Sequence, residues 1–255
     1  MKDIMEDISA YETGITGDDT PHITAIVLAA GKGSRMNSDI PKQFMMLEGH
    51  PVIYYSLKAF QESSVNDIIL VTGEEYLDYC RTDIVDKYNI SKVRAIVSGG
   101  AQRYDSVRNG LAAANVAKYV LIHDGARPCI TGKIIEDSVN CVKKYGACTV
   151  GVPVKDTIKI VDGDHLGVDT PDRSRLWQVQ TPQSFDRELL LACYERLRGE
   201  KGLQITDDTM IIERYSNVRT KVIMGAYENL KITTPEDLKI ASNFLKKDVD
   251  TKMVK

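Results

Sequence analysis

The sequence predicts an α/β fold: a Rossmann-like, mostly parallel sheet with helices on both faces and a projecting β-hairpin arm. Short, mostly apolar runs alternate with amphipathic stretches of helical length, which is the pattern of repeated strand–helix–strand units. The runs lie at 23–29, 67–72, 93–97, 119–123 and 148–152, and the helical stretches lie near 52–62, 75–88, 104–116 and 132–145. In such a sheet, ligands bind at the carboxyl ends of the strands.

The alternation changes after residue 152. A strand over 157–161, a turn at 162–164 and a polar return towards Arg175 predict a hairpin arm at about 153–177. A helix is expected near 187–199 and a strand at 218–224. The last helix is expected to begin after Thr234 as N-cap, with Pro235 at its first position and Asp237 in its first turn. We therefore divide the chain into a polar, disordered tail at 1–22, one domain at 23–247 and a C-terminal tail at 248–255.

Composition limits the classes of function. With 255 residues, 43% of them hydrophobic, the chain can bury a full-sized core. A net charge of -3 provides no basic field for nucleic acid, and no apolar run approaches the roughly 20 residues of a membrane helix. The five cysteines lack the spacing of a zinc site, and acidic residues occupy the N-terminus where a secretory signal would be basic. We expect buried, reduced thiols, a cytoplasmic protein and a small-molecule substrate.

The first predicted strand leads into a small-residue loop with basic side chains. Residues 28–36 read LAAGKGSRM, and PKQ follows at 41–43. The loop is not a P-loop, and Met36 stands where a dinucleotide fingerprint needs its third glycine. Its backbone amides can approach a triphosphate closely, with Lys32, Arg35 and Lys42 supplying positive charge. The alternative is an ordinary strand-to-helix turn with solvated basic residues.

Six further motifs follow this loop in a fixed order. They are SGGAQRYDS at 98–106, HDGARP at 123–128, VKDTIK at 154–159, TPQ at 181–183, TDD at 206–208 and NLKIT at 229–233. The loop resembles that of the nucleotidyltransferases, and the ordered set resembles the 2-C-methyl-D-erythritol 4-phosphate cytidylyltransferase family over residues 23–247. This resemblance implies transfer of CMP from CTP to that polyol phosphate, with release of pyrophosphate, in the non-mevalonate pathway to isoprenoid precursors.

The resemblance also implies roles for individual residues. The nucleotide would be bound by Ala29, Ala30, Gly31, Gly33, Gly100 and Ser106, and the triphosphate would meet Arg35, Lys42 and Lys231. The polyol phosphate would be held by Arg127, Thr157, Arg173, Thr181 and Thr206. Asp124 matches the magnesium-binding aspartate, which suffices alone because magnesium takes few protein carboxylates. His123 is expected to be structural, and Glu228 is either a further contact near the metal or a solvated acid.

The chemistry of these residue types fits that reaction. A phosphate monoester has its second pKa near 6, so at neutral pH it is mostly a dianion and needs no general base. The work left to the protein is to bring two anions together and to stabilise charge on the departing pyrophosphate. In the family, the arm clasps a second subunit and lends it the residues equivalent to Thr157 and Arg173. The resemblance therefore implies a homodimer.

Two alternatives remain open at this point. A cytidylyltransferase for another polyol phosphate, such as ribitol 5-phosphate, would share the glycine loop, TPQ and NLKITT, although Gly125 and Ala126 favour the methylerythritol family over the Ser-Val that is usual in ribitol enzymes. A non-catalytic nucleotide-binding module could keep the same fold. The second alternative is disfavoured because Lys42, Asp124 and Lys231 are all present.

Overall fold

The computed structural model describes residues 20–31, 36, 38–197, 200 and 205–253, with 247–253 described by backbone alone. Our expectation of a tail at 1–22 therefore falls almost wholly outside the described residues. The described chain is joined to the sheet from His22 onward, because the His22 carbonyl accepts hydrogen bonds from the backbone N–H groups of Lys118 (2.8 Å) and Tyr119 (3.2 Å).

The elements alternate as the sequence predicts. The strands are β1 (Ile23–Ala29), β2 (Met46–Leu47), β3 (His50–Pro51), β4 (Asp67–Thr72), β5 (Val93–Ser98), β6 (Tyr119–Asp124), β7 (Ala147–Pro153), β8 (Ile160–Val161), β9 (Gly167–Asp169), β10 (Trp177–Asp186) and β11 (Lys221–Met224). The helices are α1 (Val52–Gln61), α2 (Leu77–Tyr79), α3 (Arg103–Ala113), α4 (Gly132–Tyr145), α5 (Arg187–Leu197), α6 (Asp208–Tyr215) and α7 (Pro235–Met253).

The central sheet has seven strands in the order β11-β7-β10-β6-β1-β4-β5. β10 runs antiparallel to both of its neighbours, and the other pairings are parallel. β1 and β6 are adjacent and in a register that pairs Leu28 with Asp124. The carboxyl ends of β1 and β6 therefore lie side by side at the same edge of the sheet. The predicted fold class is confirmed.

Helices cover both faces of this sheet. On one face, α1 and α4 bury side chains such as Phe60 and Ile135 against Val27. On the other face, α3, α5 and α6 pack around Ile26 and Phe185. Alternate residues of β1 thus point into two separate cores, as expected when both faces of a strand are buried.

A third apolar cluster lies under α7. It joins Met36, Leu47, Val52, Ile232 and Ala241. α7 begins at Pro235 as predicted, but its first turn is capped by the Asp237 carboxylate, which accepts hydrogen bonds from the backbone N–H groups of residues 233 and 234. The helix continues to Met253, into the segment that we expected to be a C-terminal tail.

Four segments differ from the sequence prediction. The helix expected at 75–88 is a 3-10 turn (Glu74–Tyr76), α2 and a π-helix (Cys80–Asp86) in succession. The arm is present as the β8–β9 hairpin, with shorter strands than expected because the Asp162 carboxylate holds a wide turn through the N–H groups of residues 164 and 166. β10 and α6 were not predicted.

No helix in the described ranges combines the length and the apolar character needed to cross a membrane.

Candidate functional site

A cleft of about 490 Å³ opens at the carboxyl ends of β1 and β6. It is lined by Leu28, Ala29, Ala30, Gly31, Lys42, Gln43, Gly100, Ala101, Gln102, Arg103, Ser106, Asp124, Ala126 and Lys231. Eight of the residues singled out from the sequence therefore meet in one place. The position agrees with the rule that ligands bind beyond the carboxyl ends of parallel strands.

The wall formed by β1 is held by a buried glutamine. Gln43 Nε2 donates hydrogen bonds to the carbonyl oxygens of Ala29 (2.6 Å) and Gly31 (3.2 Å). This side chain belongs to the PKQ sequence, but we assigned it no role from the sequence. It fixes the backbone at the start of the glycine loop. The predicted residues Gly33 and Arg35 of that loop lie outside the described residues.

The opposite wall is a tight turn before α3. The backbone N–H of Gly100 donates to Ser106 Oγ at 3.1 Å, which closes the turn onto the helix. A Cβ atom on Gly100 would lie 2.2 Å from Asp105 Cβ, so only glycine fits there. Asp105 is itself occupied in a capping box with Gln102 at the N-terminus of α3. These contacts hold the turn against α3, and its residues line the cleft.

Asp124 is the only predicted metal ligand, and three cations surround its carboxylate. Lys231 Nζ lies 2.9 Å from Oδ2 and Arg127 Nε lies 3.6 Å from the same oxygen. Arg103 Nε lies 3.8 Å from Oδ1. Burial alone would raise the pKa of Asp124, but Lys231, Arg103 and Arg127 together outweigh it and hold this pKa well below its usual range. Asp124 is therefore ionised at neutral pH.

The donor set fits one magnesium ion that takes most of its ligands from phosphate and water. In the part of the chain that is described, no group of three or more His, Cys, Asp or Glu side chains could hold a metal by itself. Arg103 Nε lies 3.8 Å from Asp124 Oδ1, beyond hydrogen-bond distance, so this oxygen can serve as one hard anionic ligand. Glu228 is exposed and does not line the cleft.

Thr181 and His123 support Asp124 from behind. Thr181 Oγ1 accepts a hydrogen bond from the backbone N–H of Asp124 (3.1 Å) and lies 3.0 Å from His123 Nδ1. His123 has no exposed surface, and its burial lowers the pKa of the imidazole to about 3. His123 is thus a neutral structural residue, as expected from the sequence. The hydroxyl of Thr181, assigned to the acceptor by resemblance, is already engaged within the protein.

Arg127 connects the strand end of β6 to the segment that carries Lys231. Its Nη1 donates to the carbonyl of Asn229 at 2.8 Å. Asn229 is buried and its Nδ2 donates in turn to the carbonyl of Thr181 at 2.9 Å. These contacts fix the NLKIT segment relative to Asp124, and they explain how a lysine so far along the sequence reaches the cleft.

Three other predicted acceptor-binding residues do not line the cleft. Thr206 is exposed before α6, and Thr157 and Arg173 are exposed on the arm, where Arg173 Nη1 donates to the carbonyl of Lys155 at 2.7 Å. None of the three lines the cleft of this chain.

Two charged residues that we did not assign from the sequence complete the site. Arg103 lines the cleft and pairs with the fully buried Asp208 through Nη1 and Oδ2 at 2.8 Å. The only signal in the sequence was their presence inside the SGGAQRYDS and TDD motifs. Those motifs gave no indication that the two side chains touch.

The 2-C-methyl-D-erythritol 4-phosphate cytidylyltransferase (IspD) family model matches residues 23–247. This match covers the whole sheet and the cleft. The chain belongs to this family. Relatives of that name include those from Lachnospira eligens, 51% identical over 88% of this chain and 99% of the relative, and from Lachnoclostridium phytofermentans, 46% identical over 89% and 98%.

Solved structures agree with this family. The crystal structure of 4-diphosphocytidyl-2C-methyl-D-erythritol synthase from Anaerococcus prevotii superposes with a TM-score of 0.79, at 33% identity, over 89% of this chain and 97% of its own. The cytidylyltransferase from Thermus thermophilus gives a TM-score of 0.71 at 25% identity, over 88% and 99%. The family recognised from the motifs is therefore confirmed.

Proposed function

We propose that this chain transfers CMP from CTP to 2-C-methyl-D-erythritol 4-phosphate, giving 4-diphosphocytidyl-2-C-methyl-D-erythritol and pyrophosphate. It is a nucleotidyltransferase of the 2-C-methyl-D-erythritol 4-phosphate cytidylyltransferase family. The observation that carries the assignment is the cleft itself, in which backbone-lined walls at Ala29 and Gly100 face Lys42, Lys231 and the buried carboxylate of Asp124. The small-residue walls of the cleft can accommodate a nucleoside, and its two lysines can bind phosphates.

The reaction needs charge stabilisation more than proton transfer. The acceptor phosphate enters as a dianion, and one of its oxygens forms a bond to the α-phosphorus of CTP while the bond to the pyrophosphate oxygen breaks. Lys42 and Lys231 stabilise the negative charge that develops on the transferred and departing groups. Arg35 belongs to the same set by resemblance. His123 takes no part in proton transfer, because its pKa of about 3 and its burial keep it neutral.

Asp124 would hold the magnesium ion. Bound there with phosphate oxygens, magnesium would supply further neutralisation of the triphosphate. The protein supplies the fixed anion for it, because Thr181 orients the backbone of Asp124 and the surrounding cations keep its carboxylate ionised.

A homodimer is part of the proposal. The arm exposes several large apolar side chains, namely Ile158, Ile160, Val161, Leu166 and Val168. A projecting hairpin with such a surface is typical of an element that is covered by a partner. With the arm seated on a second copy, Thr157 and Arg173 would reach the partner's cleft and bind the acceptor together with Arg127 and Thr206. A reducing compartment such as the cytoplasm suits the five buried cysteines, which form no disulfide with one another.

The acceptor can be tested directly. The purified protein is incubated with CTP, magnesium and either 2-C-methyl-D-erythritol 4-phosphate or ribitol 5-phosphate, and pyrophosphate release is followed. We expect release with the first acceptor and little with the second. Preference for ribitol 5-phosphate would reassign the substrate. CTP binding without pyrophosphate release from either acceptor would contradict the proposed activity.

A further inference from the structure

Arg103 lies between two buried carboxylates, Asp124 in the cleft and Asp208 behind it. Its Nη1 is 2.8 Å from Asp208 Oδ2, whereas its Nε is 3.8 Å from Asp124 Oδ1. The first separation is that of a close ion pair, although its geometry is not that of a hydrogen bond, and the second separation is about 1 Å longer. Arg103 is therefore bound to Asp208 and only near Asp124.

Asp208 is held firmly in place. It has no exposed surface, and Tyr194 donates its hydroxyl to Asp208 Oδ1 at 2.7 Å. The backbone N–H of Asp208 donates to Gln183 Oε1 at 2.8 Å, which ties the TDD motif to the TPQ motif. Within the described ranges, the ion-pair partner of Asp208 is Arg103. A buried carboxylate without a partner is costly, so the pair is strongly retained.

The two oxygens of Asp124 have different surroundings. Oδ2 is occupied by Lys231 at 2.9 Å and faces Arg127 at 3.6 Å. Oδ1 faces Arg103, whose guanidinium stays 3.8 Å away. Oδ1 is thus the oxygen left for an additional cation, and Arg103 is the positive charge that such a cation would meet first.

We infer that Asp208 is a positioning residue that holds Arg103 back from Asp124 Oδ1 and so leaves this oxygen to a divalent cation. The inference rests on the proposed function, in which Asp124 binds magnesium. Together Arg103 and Asp208 carry no net charge. If Asp208 were neutral, the guanidinium could close the gap to Oδ1 and would repel a divalent cation there, because like charges in a partly buried site interact strongly.

Mn²⁺ binding to the full chain with saturating CTP and no polyol phosphate, compared with a protein-free mixture of Mn²⁺ and CTP, tests this role apart from activity. Free Mn²⁺ is measured by its electron paramagnetic resonance signal. We expect Asp208→Asn to weaken binding by about 10- to 100-fold, the usual effect of losing a group that supports a metal ligand. We expect Arg103→Met to tighten binding, because it removes the repelling charge. A merely structural role for the pair would weaken binding in both variants.

Two further variants make the result decisive. Asp137→Asn removes the same charge from an exposed ion pair with Lys133 on α4 and should leave the Mn²⁺ affinity unchanged. If Asp208→Asn does not fold, the double variant Arg103→Met/Asp208→Asn replaces the ion pair by a neutral one, which proteins often tolerate. We expect it to bind Mn²⁺ at least as tightly as the wild type.

The outcomes separate this inference from the proposed function. Equal binding in Asp208→Asn and wild type, weaker binding in Arg103→Met, or weaker binding in the folded double variant would overturn the role of Asp208. Asp124→Asn, which removes the proposed metal ligand, is the reference for loss of the Mn²⁺ site. If Asp124→Asn binds Mn²⁺ as well as the wild type does, Asp124 is not the ligand, and the inference falls together with that assignment.

Discussion

Lys231 Nζ lies 2.9 Å from Asp124 Oδ2, so the cation proposed to act on the triphosphate is paired with the anion proposed to hold the metal. The carboxylate is mostly buried and the ammonium is about one-third exposed. The pair keeps each charge compensated before substrates arrive. When a triphosphate enters, the flexible lysine side chain can turn to it without any movement of the backbone.

Removing either lysine of the cleft should slow the chemical step. We expect Lys42→Ala and Lys231→Ala each to lower kcat by about 10²- to 10³-fold, because each loses a donor directed at developing charge. Lys133→Ala, on the exposed side of α4, is the matched control and should keep the wild-type rate. Steady-state kinetics with pyrophosphate detection measures this. A near-normal kcat in either cleft variant would remove that lysine from the transition state.

His123 should make folding stability depend on pH in the acid range. Burial lowers its pKa from 6.5 to about 3 in the folded chain. Between these two values the unfolded chain binds a proton at this position and the folded chain does not, so stability falls as the pH drops below about 6.5. In His123→Gln this contribution is absent. Urea unfolding at pH 7 and pH 4.5 should therefore show a smaller loss of stability for the variant than for the wild type.

An equal loss in both proteins would contradict the assignment of His123 as a neutral buried imidazole. The comparison rests on the difference between the two pH values within each protein. A uniform destabilisation caused by the substitution itself therefore does not affect it.

Activity should require a divalent cation held by Asp124. We expect EDTA to abolish pyrophosphate release and magnesium to restore it. Asp124→Asn should raise the magnesium concentration for half-maximal rate by about tenfold or more. Even the loss of a group that only supports a metal ligand typically lowers metal affinity by about 10- to 100-fold. Glu228→Gln, at an exposed residue outside the cleft, should leave the magnesium dependence unchanged. Full activity in chelator would exclude the metal from the mechanism.

If the arm completes a neighbouring site, two inactive variants should complement each other. Lys42→Ala and Arg173→Ala homodimers each carry a lesion in both sites. When the two are unfolded together and refolded, about half of the dimers are mixed, and each mixed dimer has one intact site by its twofold symmetry. Activity should return to roughly a quarter of the wild-type value.

Native mass spectrometry confirms that mixed dimers have formed. If Arg173 served the cleft of its own chain, every site in the mixture would carry one lesion. A mixture no more active than its parents would then reject the shared site, while leaving the family assignment intact.

The sequence predicted the parallel strands well and missed β10. The five apolar runs correspond to β1, β4, β5, β6 and β7. All but β5 are buried along almost their whole length and show it by nearly continuous apolar residues, whereas β5 is a mostly half-buried strand at the sheet edge. β10 lies between β6 and β7 and is as deeply buried at its centre, yet it carries Gln180, Thr181, Pro182 and Gln183 there. A polar run with an internal proline is not predicted to be a central strand.

Those polar residues are tolerated because the tertiary structure satisfies them. Gln183 bonds to Asp207 and to the N–H of Asp208, and Thr181 bonds to Asp124 and lies beside His123. These partners lie far away in the sequence, so local patterns could not reveal them. The same limit applies to the pairing of Arg103 with Asp208. The motifs marked both residues, but only the fold brings them together.

The most direct test of the account follows the oxygen that attacks CTP. The acceptor is prepared with ¹⁸O in its phosphate and converted with unlabelled CTP, and the product is analysed by mass spectrometry and ³¹P NMR. Attack by the phosphate dianion predicts 4-diphosphocytidyl-2-C-methyl-D-erythritol that keeps all the label, with ¹⁸O in the bridge to the CMP phosphorus and unlabelled pyrophosphate. A product without ¹⁸O in that bridge, or no cytidylated product, would contradict the account.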